Sequence, residues 1–224
     1  MVTKTFAVPL SLLAALVMAG CGGSGGSSGA ASQQKLQSAS APSQPMASPS
    51  TTLTATDMSG NSYTATYSST PGGMAMFNGQ NANTLAIALT VSKNGAVIAT
   101  ENSTAYYLMN PYSPLGLSGT ANGVAWTATI TSYTPLPSTL TVGASGPLDS
   151  ATYTDGMGNN IGSLTETYTV TADSPSAVFL NIDAAGSING VQESEMLTYS
   201  VASDGTLALV QAQITVNGTT LTFH

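Results

Sequence analysis

Three carboxylates stand at positions where the residues around them call for apolar side chains. Glu166 shares the parity of Leu164, Tyr168 and Val170, while Glu193 and Glu195 share that of Leu197, Tyr199 and Val201. Residues i and i+2 of a strand face the same way, so regular strands aim these acids inward. There an unpaired carboxylate is costly and holds its proton more tightly. A pair such as Glu166 and Glu195 is the raw material of acid–base hydrolysis or of hard-cation binding. In the alternative arrangement a bulge turns Glu166 outward, and Glu193 and Glu195 lie ahead of their strand.

A second constellation is aromatic. Tyr106, Tyr107 and Tyr112 fall in one short stretch stiffened by Pro111 and Pro114. Exposed aromatic surface marks binding sites, and tyrosine faces can stack on sugars or receive apolar groups. The other reading places Tyr107 and Met109 at a core edge. Trp126, the single tryptophan, joins Tyr106, Tyr107, Tyr112, Glu166 and Glu195 as a candidate binding residue. Asp155-Gly156-Met157-Gly158-Asn159-Asn160 has the oxygen-and-glycine texture of a calcium turn. It lacks the D-x-[DN]-x-[DN]-G spacing and the distal glutamate, so no metal and no cofactor are expected. Nucleophilic catalysis has no basis either. The lone cysteine, Cys21, and the lone histidine, His224, stand at opposite ends of the 224 residues, with no context that pairs them.

Composition narrows the partners. The formal net charge is −7, no arginine occurs, and after Cys21 only Lys35 and Lys93 oppose ten acidic residues. Nucleic-acid binding, which needs clustered Lys and Arg, is excluded. Charged residues are 6 % of the chain, against roughly a quarter in average domains. The polar positions are Thr, Ser, Asn and Gly instead, a poor inventory for catalysis, and a non-enzymatic role is expected.

The first 20 residues read as a secretory signal. Lys4 precedes an apolar segment, Phe6 to Val17, which ends in small residues and contains Pro9. It is shorter than the ~20 apolar residues a membrane helix needs. At its end, Met18-Ala19-Gly20-Cys21 resembles the lipobox of bacterial lipoproteins, with Met18 where that family usually has leucine. The resemblance implies a Cys21 carrying several acyl chains of the palmitate type, and Gly22 rather than Asp implies the outer membrane. The cysteine has no disulfide partner within the chain, which agrees with lipidation. Partners expected on this reading are the membrane, through the anchor, and an envelope protein, a glycan or a small apolar ligand.

Residues 21–50 are rich in Gly, Ser, Ala and Pro and lack aromatics. They read as a flexible, disordered tether with a reach of ~30 Å. From residue 51 to 224 the pattern becomes period-two alternation, as in Tyr63 to Tyr67, Leu85 to Val91 and Trp126 to Ile130. Turn signals stand at Asn94-Gly95, Asn122-Gly123, Asn189-Gly190, Asp204-Gly205 and Asn217-Gly218. These features predict one all-β domain, an antiparallel barrel or a two-sheet sandwich of about ten strands. Its Thr-rich hairpins resemble those of bacterial lipoproteins of unassigned activity. A barrel crossing the membrane would show an apolar outer face, whereas threonine and serine fill one face of most strands here. The apolar face is therefore assigned to an internal core.

Overall fold

The computed structural model describes residues 38–40, 50–109, 111–174, 176–216 and 219–224. The signal segment, Cys21, most of the 21–50 tether and the Asn217-Gly218 turn lie outside the described residues. Fourteen strands are present among them: β1 (Ser38–Ser40), β2 (Thr51–Thr56), β3 (Ser62–Phe77), β4 (Gln80–Lys93), β5 (Ala96–Leu108), β6 (Ser113–Ala121), β7 (Val124–Tyr133), β8 (Thr139–Thr141), β9 (Ser145–Asp155), β10 (Asn160–Ser174), β11 (Ala177–Ile188), β12 (Val191–Ala202), β13 (Leu207–Val216) and β14 (Thr219–Phe223).

Twelve of these form a single antiparallel sheet in the order β2-β3-β4-β5-β6-β7-β9-β10-β11-β12-β13-β14. The sheet curls until its edges meet, where Thr54 and His224 exchange two backbone hydrogen bonds of 2.9 Å. The architecture is thus a nearly closed barrel rather than a sandwich, with two more strands than the turn signals suggest.

The register explains why the sequence alternates. Tyr67 pairs with Leu89 and Leu89 with Glu101, while Tyr168 pairs with Ile182 and Ile182 with Leu197. Residues opposite each other share a face, and these are buried. The intervening Thr, Ser and Asn face out. Asn94-Gly95, Asn122-Gly123 and Asn189-Gly190 each place two residues at positive φ, as type I′ turns require. Asn78-Gly79 does the same and joins β3 to β4.

Inside the barrel lies a two-stranded ribbon. β1 pairs with β8, which belongs to the long connection between β7 and β9. Ala39 and Leu140 are buried within the main core cluster, and the ribbon packs on β11 and β12. Three residues of the segment read as tether are therefore part of the domain.

Candidate functional site

The inner wall carries four buried acids: Glu101 on β5, Asp149 on β9, Glu166 on β10 and Glu195 on β12. Glu166 is 1 % exposed and points inward as its parity requires. A bulge does occur there, but on the other strand. Ser150 pairs with Thr165 and Pro147 with Thr167, so Leu148 and Asp149 together oppose Glu166. The extra residue of such a bulge re-aims a side chain, and both Leu148 and Asp149 become buried. That is how Asp149 reaches Glu166. Glu195 is inward because β12 begins at Val191, directly after the Asn189-Gly190 turn, and so takes in both acids of the Glu193-Ser194-Glu195 run.

Burial governs the protonation of the cluster. It pushes Glu101 up to about 8, with the Ser103 hydroxyl opposing slightly, and Asp149 up to about 7. Glu166 and Glu195 are driven well above the usual carboxylate range by burial. The neighbouring Asp149 adds to the effect on Glu166, and Glu166, Glu101 and Glu193 add to that on Glu195. Tyr153 senses all four acids, which fixes them around one region of the lumen. Both carboxyl oxygens of Glu166, Oε2 of Glu101, Oε1 of Glu195 and the hydroxyls of Tyr67 and Tyr199 are buried without a hydrogen-bond partner. Among the described residues, no three His, Cys, Asp or Glu side chains converge as a metal site would require.

The tyrosine stretch divides between the two faces of the sheet. Tyr107, Tyr112 and Tyr133 form an inner chain, with ring centroids 5.8 Å apart for the first pair and 6.0 Å, edge-on, for the second. Tyr133 is the cross-strand neighbour of Asp149, so the chain runs up to the acid cluster. Tyr106 faces out instead. Its ring stacks on Phe77 at 4.5 Å and its hydroxyl shares a 3.0 Å hydrogen bond with Ser118.

That stack marks a second feature, on the outer wall. Pro71-Gly72-Gly73 shifts the β3–β4 register, and beyond it the hairpin tip leans over the sheet. Phe77 lies on Tyr106, and Asn78 Nδ2 donates to Thr129 Oγ1 at 3.4 Å. Beside this overhang is a groove of about 730 Å³ across β3 to β7. Two rows of paired residues form its floor: Ser68, Ala88, Asn102, Thr120 and Ala125, beside Thr70, Ala86, Thr104, Ser118 and Thr127. Trp126 stands at the border of the groove, but its ring lies on the inner face, 5.8 Å from that of Tyr153 and packed against the core. No charged side chain contributes.

The turn that looked calcium-like is self-contained. Asp155 Oδ1 accepts from the amides of Met157 and Asn159, and Oδ2 accepts from Asn159 Nδ2. Asp57 binds Ser59 and Asn61 in the same pattern. These are Asx-type turns, with the carboxylates engaged by their own loops.

Sequence parity identified Glu166 and Glu195 but missed Glu101 and Asp149. Glu101 alternates with small residues, Ala99, Ser103 and Ala105, which leave parity without an apolar marker. Asp149 is hidden by the bulge, since two adjacent inward residues break period two. No family model, curated protein or solved structure matches the chain.

Proposed function

We propose that this chain is a lipid-anchored protein of the bacterial cell envelope, at the outer membrane, whose barrel is a non-enzymatic binding domain for a neutral, hydroxyl-rich ligand such as a glycan strand. The observation that carries the reading is the uncharged outer groove. Its hydroxyl and amide groups can exchange hydrogen bonds with sugar hydroxyls, while the methyl groups of Ala and Thr supply apolar surface. The hydroxyl-rich outer face of the strands supports a barrel outside the bilayer, because lipid-facing strands are apolar.

Binding of the full chain to neutral polysaccharides and peptidoglycan fragments tests the groove. Thr104→Lys, at the centre of the floor, is expected to weaken binding about tenfold or more, with stability within about 0.5 kcal/mol, as is usual for surface changes. Retained binding by this variant would remove the groove from the reading. The anchor is tested separately. Cys21→Ser is expected to move the protein from the membrane to the soluble fraction, and unaltered fractionation overturns lipidation.

A second reading, a small-ligand carrier, is favoured by the polar cluster inside the barrel.

A further inference from the structure

We propose that the barrel lumen is a binding site for a small organic cation, a protonated amine or quaternary ammonium, held by Glu101, Glu166 and Glu195 against the rings of Tyr67, Tyr153 and Tyr199. The inference is independent of the outer groove and deepens the carrier reading.

Two observations meet in it. Acids from three separate strands turn inward to one region, and oxygens of all three stay buried without a hydrogen-bond partner. Separately, the Tyr199 hydroxyl on the same wall is buried and unpartnered, and Tyr153 is buried among the acids. Buried polar groups in native proteins are almost always satisfied, so this concentration points to an occupant. Among the described residues, no Lys or Arg is placed against these acids. Lys93, the one Lys or Arg among the described residues, sits over the Tyr63 ring, 5.3 Å from its centroid.

The chemistry selects the class of cation. A bare metal ion needs several oxygens converging at about 2.0–2.6 Å, and the acids do not converge in that way. An alkylammonium is larger, so it can touch carboxylates on separate strands at once. Tyrosine faces attract it through their quadrupole, most strongly where water is excluded.

Binding is coupled to proton release, since each acid that contacts the cation gives up a proton to solvent. The titratable groups facing the site are Tyr67 on β3, Glu101 on β5, Tyr112 on the β5–β6 connection and Tyr133 on β7. Asp149 and Tyr153 on β9, Glu166 and Tyr168 on β10, and Glu193, Glu195 and Tyr199 on β12 complete the set.

Thermal unfolding and calorimetric titration of the full chain with tetramethylammonium and with 1,4-diaminobutane test this, with sodium chloride at matched ionic strength as the control. A saturating cation is expected to raise Tm by roughly 5 °C at about pH 8. The apparent affinity should be at least about tenfold lower near pH 5, where the acids hold their protons. Titrations in two buffers of different ionisation enthalpy should show net proton release. The double variant Glu166→Gln/Glu195→Gln is expected to fold and lose the response. If it does not fold, proton release by the unmodified chain decides alone. An equal effect of sodium, no effect at either pH, or a response surviving in a folded double variant overturns the proposal.

Discussion

Raising the pH from about 5 to about 8 is expected to lower the unfolding free energy of the barrel by roughly 6 kcal/mol. Glu101 titrates near 4.5 in an unfolded chain and at about 8 in the barrel, and Asp149 near 3.8 and at about 7. Between those limits the native state holds protons that the unfolded state has released. Stability therefore falls as pH rises through the window, and levels off once the native acids also ionise. Each unit of difference corresponds to about 1.36 kcal/mol, so Glu101 alone has a ceiling of roughly 4–5 kcal/mol. Native domains hold only about 5–15 kcal/mol in total, which makes this a large share.

At the acid end the sign reverses. Asp57 is held at about 2 by the Asn61 side chain and the turn amides, so its contribution disappears as pH falls below the usual carboxylate range. Maximum stability is expected near pH 4–5, between these two windows. Urea unfolding across pH checks both limbs. Glu166→Gln should flatten the alkaline limb, because its amide keeps the shape and cannot ionise. An alkaline limb equally steep in that variant would show that Glu166 is not among the acids responsible.

Gly116→Ala is expected to cost about 3 kcal/mol or more and to dislodge the β3–β4 hairpin tip from the outer wall. Gly116 has φ +155°, and a Cβ there would run into the carbonyl oxygen of Ala128 and approach the Phe77 ring to 2.6 Å. The carbonyl belongs to a paired strand and cannot move freely, so the ring must shift. Phe77 would then leave Tyr106, and the overhang would lose its seat. Gly73→Ala is the matching control. Its Cβ meets nothing within 4 Å and its φ is not positive, so a change within about 0.5 kcal/mol is expected. Urea midpoints for the two variants, with glycan binding measured alongside, separate a packing role for Gly116 from tolerance.

Much of the barrel was legible because its inner and outer faces differ so plainly. Leu85, Ile87, Leu89 and Val91 against Ala86, Ala88 and Thr90 define both a strand and the side it buries. The Asn-Gly pairs at 94, 122 and 189 mark where the chain reverses. Asn78-Gly79 escaped notice because Met74 and Met76, on the hairpin it closes, are exposed and give no core-facing alternation. β1 was unreadable for a different reason. Ser38-Ala39-Ser40 carries almost no apolar surface, and only the partner strand at Thr139–Thr141 makes Ala39 a core residue. The acid cluster was half visible, since parity finds an inward side chain only in a regular strand. Asp149 enters the lumen through an irregularity that depends on β10. The groove had no local signal, for its floor is assembled from five strands, β3 to β7, that only the sheet brings side by side.

The Thr54–His224 seam has a consequence for how the chain reaches its native form. Every other neighbouring pair in the twelve-stranded sheet is joined by a local connection, so those contacts can form as successive hairpins at little entropic cost. The seam joins strands from the two ends of the domain, and bringing them together closes the longest loop in the molecule, at a cost that grows only slowly, with the logarithm of its length. Contacts of such sequence separation slow folding. The expected order of assembly is therefore an open ribbon with two unpaired edges first and the meeting of β2 with β14 last, which stopped-flow refolding would register as a slow final phase. In that order both edges stay open to other chains until the seam forms, so the pair of backbone bonds at Thr54 and His224 removes the two strand edges at which association would start.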